Sequence, residues 1–246
     1  MRWPLFSMRK RPDARRVVYS GREASFRISP SDKGVPTIWD RDIVIYITSQ
    51  LLAKQTPSRV VPLCAHNLLK TTRRSTGVQG YQSLMNALYR LKLSSIVTNI
   101  GQRDAAMATV SWLDDYTTVH RTCASGKSVM TSLSVTLSEW AYGILLRADA
   151  APISADYFSL TGGLERRLYE LVSERCAEGA SWTVALRSLA TEAGSEQCNL
   201  RRFKFDLRAI AARDALPGFT IDLLEADADC LLRFRRVEQP LLQTAK

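Results

Sequence analysis

The chain has 246 residues, of which 46% are hydrophobic and 24% charged, so it is long enough for one large domain or two of ordinary size. Its 34 Lys and Arg residues against 24 Asp and Glu residues give a net charge of +10, which predicts a polyanionic partner such as nucleic acid. No apolar run approaches the roughly 18 residues of a membrane-spanning helix, and the N-terminus lacks a signal-peptide core. We therefore expect a cytoplasmic protein without a membrane partner.

Residues 1–30 are predicted to form a basic N-terminal arm. It carries Arg9-Lys10-Arg11 and has short strand-like pieces at 17–19 and 24–28. Two interpretations of the arm remain open: it contacts DNA along a groove or backbone, or it is a solvated tail. A turn at 29–34 separates the arm from the segment that follows.

A helix followed by a helix-turn-helix is predicted between residues 39 and 93. A first helix begins near Trp39, and Pro62 is expected to open a second one. The polar turn 71–77 then leads to a third helix at Val78–Leu93, whose apolar residues recur at three- and four-residue steps. A helix, a polar turn and an amphipathic helix are typical of a DNA-recognition unit.

The stretch from 43 to 103 contains no acidic residue, which suits a surface that approaches phosphates. Arg side chains can pair with guanine, and Asn or Gln side chains with adenine, whereas other contacts reach only phosphate. The alternative is an ordinary solvated helix face. The residues predicted to contact DNA here are Thr72, Arg73, Arg74, Ser75, Gln79, Gln82, Ser83, Asn86 and Arg90.

The segments Ser94–Ile100 and Ala108–Leu113 are predicted to form a β-hairpin directly after the third helix. A hairpin in this position indicates the wing of a winged helix. Arg103 lies at the predicted tip, where it would reach phosphate or the minor groove. A further strand is expected at Ser128–Leu137.

The second half of the chain repeats this order of elements without a close repeat of residues. Helices are predicted at 139–146, 164–177, 184–193 and 196–214, followed by a hairpin of 219–224 with 230–234. In the helix at 164–177, Glu165, Arg166 and Glu170 are expected on the face opposite the apolar one. The residues predicted to contact DNA in this half are Gln197, Asn199, Arg201, Arg202, Lys204 and Arg208.

These elements predict an α+β fold of two tandem winged-helix domains, each a helix-turn-helix with a β-hairpin wing. The expected boundaries are 1–30 for the arm, 31–137 for the N-terminal domain and 138–236 for the C-terminal domain. Residues 237–246 are expected to be a flexible tail.

Catalytic chemistry is not expected. Gly162-Gly163 is not followed by the Lys and Ser or Thr of a phosphate-binding loop, so ATP hydrolysis is not predicted. His66 and His120 are far apart, and the five cysteines show no zinc-ligand spacing. We therefore predict a non-enzymatic protein with no catalytic residues, no metal and no cofactor.

Several segments resemble the plasmid replication initiator protein A family of proteobacteria, in the same order and over nearly the whole chain. The most specific of them is the Thr-Gly-Gly-Leu-Glu-Arg run at 161–166. The others are Trp3–Ser7 with Lys10-Arg11, Gly34–Asp42, Tyr81–Leu88 with Arg90-Leu91, Leu168-Tyr169, Phe205–Arg208 and Leu216–Gly218.

This resemblance implies an initiator that binds direct repeats (iterons) in double-stranded DNA at a plasmid origin. It also implies opening of adjacent AT-rich DNA and recruitment of the host replicative helicase and initiator machinery. Similar two-winged-helix initiators often repress their own gene as dimers and initiate as monomers, so a homodimer is a further expected partner. The alternative is a transcriptional repressor with the same DNA-binding modules and no initiator activity.

Overall fold

The computed structural model describes residues 3–21, 23–102, 106–122, 128–147, 153–176, 181–195, 199–225 and 230–237. The chain divides into two compact units. The first, Leu5–Asp149, is called the N-terminal module, and the second, Ala150–Lys246 with Met1–Pro4, the C-terminal module. Each unit contains both helices and antiparallel sheet, as predicted for an α+β chain.

Four helices are described in the N-terminal module: α1 (Arg41–Leu52), α2 (Ala65–Thr71), α3 (Val78–Leu93) and α4 (Glu139–Arg147). The bounds of α3 coincide with those predicted from its apolar periodicity. The first three helices each bury an aliphatic stripe, whereas Leu52, Val78 and Leu93 at the helix ends are exposed. The fully buried side chains are Ile43, Ile47, Leu51, Leu68, Leu69, Leu84, Leu88 and Leu91.

A three-stranded sheet accompanies these helices. It consists of β3 (Val60–Leu63), β6 (Leu113–Thr122) and β7 (Ser128–Leu137), in the order β3-β7-β6 with antiparallel pairing. Pro62 was predicted to open a helix, which is wrong because it lies in β3. A proline lacks the N–H group of a central strand, but it is tolerated in β3 because β3 is at the edge of the sheet.

A second sheet in this module has the order β1-β2-β4-β5. Its strands are β1 (Val17–Ser20), β2 (Ser25–Ser29), β4 (Ser95–Thr98) and β5 (Ala108–Val110). Part of the predicted arm therefore belongs to the folded module, because β2 pairs with β4 about 70 residues further along the chain. Leu5 is also buried, which again differs from an arm extending over residues 1–30.

The predicted wing also needs correction. Its two segments pair with each other as β4 and β5. However, β4 also pairs with β2, so this hairpin belongs to the second sheet and not to the sheet that contains β3. The hairpin that follows α3 and pairs with β3 is β6–β7. The wing of the N-terminal module is therefore β6–β7, and Arg103 of the predicted tip lies outside the described residues.

The C-terminal module has the same order of elements. After a 3-10 helix at Ala155–Ser159 come α5 (Gly163–Arg175), β8 (Ser181–Ala185), α6 (Leu186–Glu192), α7 (Leu200–Ala212), β9 (Phe219–Glu225) and β10 (Cys230–Arg236). The sheet order is β8-β10-β9. The start of the helix predicted at 184–193 is wrong, because residues 184 and 185 belong to β8.

The two modules share one topology. In each, a helix, an edge strand, two further helices and a hairpin occur in that order, and the last strand of the hairpin lies in the middle of the sheet. The prediction of two tandem winged-helix domains is thus confirmed. The described residues contain no helix that is long and apolar enough to cross a membrane.

The Thr-Gly-Gly-Leu-Glu-Arg run has a structural role at the start of α5. The Glu165 carboxylate accepts the Gly162 N–H (2.9 Å) and the Arg213 guanidinium (3.0 Å), so it joins the start of α5 to the end of α7. Arg166 donates to the Leu160 carbonyl (2.8 Å). Glu165, Arg166 and Glu170 are all buried, so their predicted place on an open face is wrong.

The structural division of the chain also differs from the predicted boundary after Leu137. Helix α4 belongs to the N-terminal module because Trp140 packs edge-on against Trp112 at 5.2 Å between ring centroids. Its indole N–H donates to the Ile100 carbonyl (2.8 Å). Of the predicted tail, only Val237 is among the described residues.

Candidate nucleic-acid interface

The turn between α2 and α3 is held by two backbone hydrogen bonds. The N–H of Arg73 donates to the Lys70 carbonyl (3.1 Å), and the N–H of Arg74 donates to the Leu69 carbonyl (2.8 Å). This pair of bonds is a Schellman motif, which ends a helix through one residue in the left-handed conformation. That residue is Arg73, with φ at 53°.

The turn after α6 has the same geometry. Gly194 donates to the Thr191 carbonyl (2.9 Å), and Ser195 donates to the Ala190 carbonyl (2.7 Å). Helices α2 and α6 both have seven residues, so Gly194 is the structural counterpart of Arg73. Gly194 has φ at 77°, a conformation that costs glycine little and other residues about 1–2 kcal/mol. At this position the N-terminal module has an exposed arginine, Arg73, whereas the C-terminal module has a glycine, which suits the left-handed conformation.

We expect Arg73→Gly to stabilise the protein by about 0.5–1 kcal/mol and to weaken its binding to DNA. The gain in stability follows because glycine adopts the left-handed conformation without strain. Part of this gain is offset because glycine has more conformational entropy in the unfolded chain. The loss of binding follows if the exposed guanidinium contacts a phosphate. Urea unfolding and DNA titration measure the two effects, with Arg73→Lys as the control that keeps both strain and charge. If Arg73→Gly bound DNA as tightly as the wild type, Arg73 would not contact DNA.

Gly80 sets the close approach of α3 to the preceding turn. A Cβ atom at this position would lie 1.6 Å from the backbone oxygen of Ser75. At Gly77 an added Cβ would meet only the Ser75 hydroxyl oxygen, at 3.5 Å. The two glycines therefore form a matched pair, one without room for a methyl group and one with it.

We expect Gly80→Ala to destabilise the N-terminal module by about 3 kcal/mol, since a backbone atom must move to admit the methyl group. Gly77→Ala should cost only about 1 kcal/mol, because Gly77 is the N-cap of α3, where alanine is less favourable than glycine but its methyl group meets no backbone atom. Urea unfolding of both variants measures the difference. Equal free energies of unfolding would show that the turn can relax without penalty.

Acidic residues are distributed unevenly among the helices. None occurs in the first turn of α2, α3, α6 or α7. The first turns of α1, α4 and α5 contain Asp42, Glu139 and Glu165 respectively. Carboxylates favour helix N-termini, so their absence from the first turns of these four helices leaves no negative side chain there to repel a phosphate.

The outer face of α3 carries neutral hydrogen-bonding groups. Gln79, Gln82 and Ser83 are exposed. Asn86 is half-buried, and its side-chain oxygen accepts from Lys33 Nζ (2.8 Å) and from the Gln82 amide (3.4 Å). The first three side chains are exposed on one face of α3, and their contact with base edges stays a prediction.

Three of the predicted DNA contacts are corrected by the structure. Thr72 is 2% exposed, and its hydroxyl donates to the Leu68 carbonyl (2.8 Å). Arg74 lies partly inside the module, where it donates to the Trp39 carbonyl and to Asp42. Arg90 is buried and makes a two-bond ion pair with the carboxylate of Asp40. These side chains stabilise the helix-turn-helix from within.

Ser75 and Arg73 remain exposed in the turn, and the Ser75 hydroxyl accepts the N–H of Gly77 (3.2 Å). Together with the N-terminus of α3 they form a continuous stretch without a carboxylate. Their contact with DNA stays a prediction.

The face of α7 is more basic. Arg201, Arg202 and Arg208 are exposed, and Lys204 is half-buried. Arg202 pairs with Asp206 (Nε–Oδ1 3.1 Å), which reduces the net charge of this part of the face. The contact of these basic residues with DNA stays a prediction.

Asn199 is the N-cap of α7. Its side-chain oxygen accepts the N–H of Arg201 at 2.9 Å, so the side chain has a helix-capping function whether or not it also contacts DNA. Gln197, which was predicted to contact DNA, lies outside the described residues.

Sequence analysis missed basic residues on the two wings. In β6, His120 and Arg121 are exposed near the end of the strand. In β10, Arg233, Arg235 and Arg236 are exposed, and Arg235 pairs with Asp222 at 2.7 Å. For β10 the signal that could have identified them was the alternation Leu232-Arg233-Phe234-Arg235, whereas β6 shows no such alternation. Among the described residues, no group of three His, Cys, Asp or Glu side chains could hold a metal ion.

Two winged-helix modules, each with a polar or basic outer face on its third helix, define a DNA-binding fold of the replication-initiator type. Domains 2 and 3 of RctB, in crystal structures, share this fold with a TM-score of 0.69, 12% identity and 95% of each chain covered. The Pi initiator protein, in complex with iteron DNA, has a TM-score of 0.57 and 12% identity, with 82% of this chain and 91% of that chain covered.

The family model of Replication initiator protein A matches residues 1–221, and the chain belongs to this family. A relative from Wigglesworthia glossinidia brevipalpis, named "Putative replication protein", is 27% identical over 228 residues. The match covers 90% of this chain and 82% of the relative.

Proposed function

We propose that this protein initiates plasmid replication in the bacterial cytoplasm by binding direct repeats in double-stranded DNA at its plasmid's origin. The observation that carries the proposal is the repeated module, with an outward polar or basic face on α3 and α7 and no acidic residue in the first turn of either helix. Membership of the Replication initiator protein A family supports the same role.

In this proposal α3 and α7 each enter a major groove. Gln79 and Gln82 on α3 would read adenine edges, whereas Arg201 and Arg208 on α7 would contact guanine or phosphate. Arg73 would position the N-terminal module on the backbone without reading sequence. Two reading helices on one chain suit a longer site than a single module could occupy.

The subsequent steps depend on assembly and not on catalysis. Binding would promote opening of adjacent AT-rich DNA and recruit the host replicative helicase with the initiator machinery. A second copy of the chain is a further proposed partner, in the state that would repress the protein's own gene. We propose that these steps use no cofactor, because the free energy of binding would offset the cost of deforming and opening the DNA.

Fluorescence anisotropy tests the proposal. The full chain is titrated with duplex DNA from the origin of the plasmid that encodes it and with shuffled DNA, at two salt concentrations. We expect about 10³-fold tighter binding to the origin, together with a steep salt slope that reports the phosphates engaged. Weak and equal binding to both duplexes would contradict sequence-specific recognition.

A replication assay separates an initiator from a repressor. The protein is supplied in trans to an origin-bearing plasmid that lacks its own copy of the gene. Plasmid maintenance would support initiation, whereas specific DNA binding without maintenance would leave repression of transcription as the function. The two activities share the same DNA-binding modules, so the binding titration alone cannot separate them.

A further inference from the structure

Two exposed apolar side chains lie on the recognition helices. Val78 is 89% exposed and Phe205 is 61% exposed, and these are the two largest exposures among the large hydrophobic residues that the structure describes. Scattered exposed hydrophobic residues are ordinary on protein surfaces. What distinguishes these two is their position, since Val78 begins α3 and Phe205 lies on the outer face of α7.

Val78 is placed where a recognition helix meets the bases. It is the first residue of α3, and the N-terminal residues of such a helix contact base edges. Gln82 is one helical turn further along, so the apolar side chain of Val78 neighbours one exposed amide on the helix surface.

Phe205 stands among the basic residues of α7. Arg201 is four positions before it and Arg208 three positions after it, so all three are neighbours on the helix surface. The Arg202 guanidinium lies 5.3 Å from the centre of the Phe205 ring, which helps to orient the ring. A surface of this composition is complementary in charge to DNA and not to an apolar protein partner.

In the major groove the 5-methyl group of thymine is the apolar feature that the base edges present, and Phe is among the side chains that contact it. We propose that Val78 and Phe205 each read a thymine methyl group, one through α3 and one through α7. This inference rests on the proposed function and adds a specificity that the hydrogen-bonding residues do not supply. Thymine is then distinguished from cytosine by its methyl group as well as by its O4 acceptor.

Uracil-substituted DNA tests the inference. A specific duplex is first selected from a random pool with the full chain, and a second duplex is made with deoxyuridine at every thymine. The substitution removes the methyl groups and keeps the hydrogen-bonding edges. We expect the wild-type protein to bind the uracil duplex about fourfold more weakly for each methyl group contacted, the effect of burying one carbon group.

The variants Val78→Ala and Phe205→Ala identify the side chains responsible. Each is expected to reduce the uracil penalty, and the double variant should bind both duplexes equally. Val18→Ala is the matched control, since Val18 is 57% exposed on β1 and should leave the full penalty in place. A penalty that persists in the double variant would overturn the inference, because the methyl groups would then be read elsewhere or act through DNA shape.

The outcomes separate the two proposals. If the selection enriches no duplex, sequence-specific binding fails, and the inference fails with it. If a specific duplex is bound tightly but uracil costs nothing, the proposed function stands and the methyl contacts are refuted.

Discussion

Arg90→Ala is expected to destabilise the N-terminal module by about 3–5 kcal/mol, the cost of leaving a buried ion pair without one partner. The Arg90 guanidinium donates two hydrogen bonds to Asp40, at 2.8 and 2.7 Å, and the two side chains are 11% and 3% exposed. Asp40 also accepts the N–H of Thr37 (2.8 Å), so the carboxylate is held in place and cannot turn toward solvent. Removing Arg90 leaves this charge uncompensated within the module.

Urea unfolding measures the loss, and Arg9→Ala provides the control. Arg9 pairs with Asp13 at 2.6 Å in the same module, but its side chain is 60% exposed, so its removal should cost less than about 1 kcal/mol. An equally small cost for Arg90→Ala would contradict the structural role of the pair. The double variant Asp40→Leu with Arg90→Met should recover much of the stability, because it removes both charges from the interior.

A milder substitution distinguishes this structural role from a role at DNA. Arg90→Lys keeps one charged contact with Asp40 and should leave enough stability for the module to fold. We expect it to bind DNA with unchanged specificity, since Arg90 does not reach the surface. If the folded Arg90→Lys variant selectively lost binding to origin DNA, this would show that Arg90 contributes to DNA recognition.

The sequence predicted the elements whose determinants are local. Helix α3 was predicted with correct bounds because Leu84, Leu88 and Leu91 repeat at helical spacing after a polar turn. Its exposed glutamines follow from the same periodicity. The repetition of two modules was also visible, because each third helix is followed by a segment rich in strand-forming residues.

Pairings between distant segments could not be predicted in this way. The wing was assigned to β4–β5 because Gly101 gives a strong local turn. The location of the wing in the structure depends on the pairing of β3 with β7, whose residues are 70 or more positions apart. Arg90 was misplaced for a similar reason. Its position on the helical wheel borders the outer face of α3, and only the fold brings it to Asp40, 50 residues away.

The largest effect on DNA recognition is expected from replacing Gln79, Gln82 and Ser83 together with alanine. Each bidentate amide–adenine contact contributes about 1–3 kcal/mol of discrimination, so loss of two such contacts should weaken origin binding about 100-fold or more. The three side chains are exposed, and surface substitutions of this kind change stability by less than about 0.5 kcal/mol each. The variant should therefore fold normally and lose recognition alone.

Salt dependence shows what kind of contact has been lost. The substituted residues are neutral, so the slope of affinity against salt should stay unchanged, and binding to shuffled DNA should be unaffected. Arg201→Ala with Arg208→Ala should behave differently, weakening binding to both duplexes and reducing the slope by about 0.9 for each phosphate contact removed. Gln50→Ala serves as a control, because Gln50 is an exposed glutamine on α1 and not on α2 or α3. If the α3 variant lost affinity for origin and shuffled DNA alike, α3 would bind the backbone only, and the bases would have to be read by α7 or the wings.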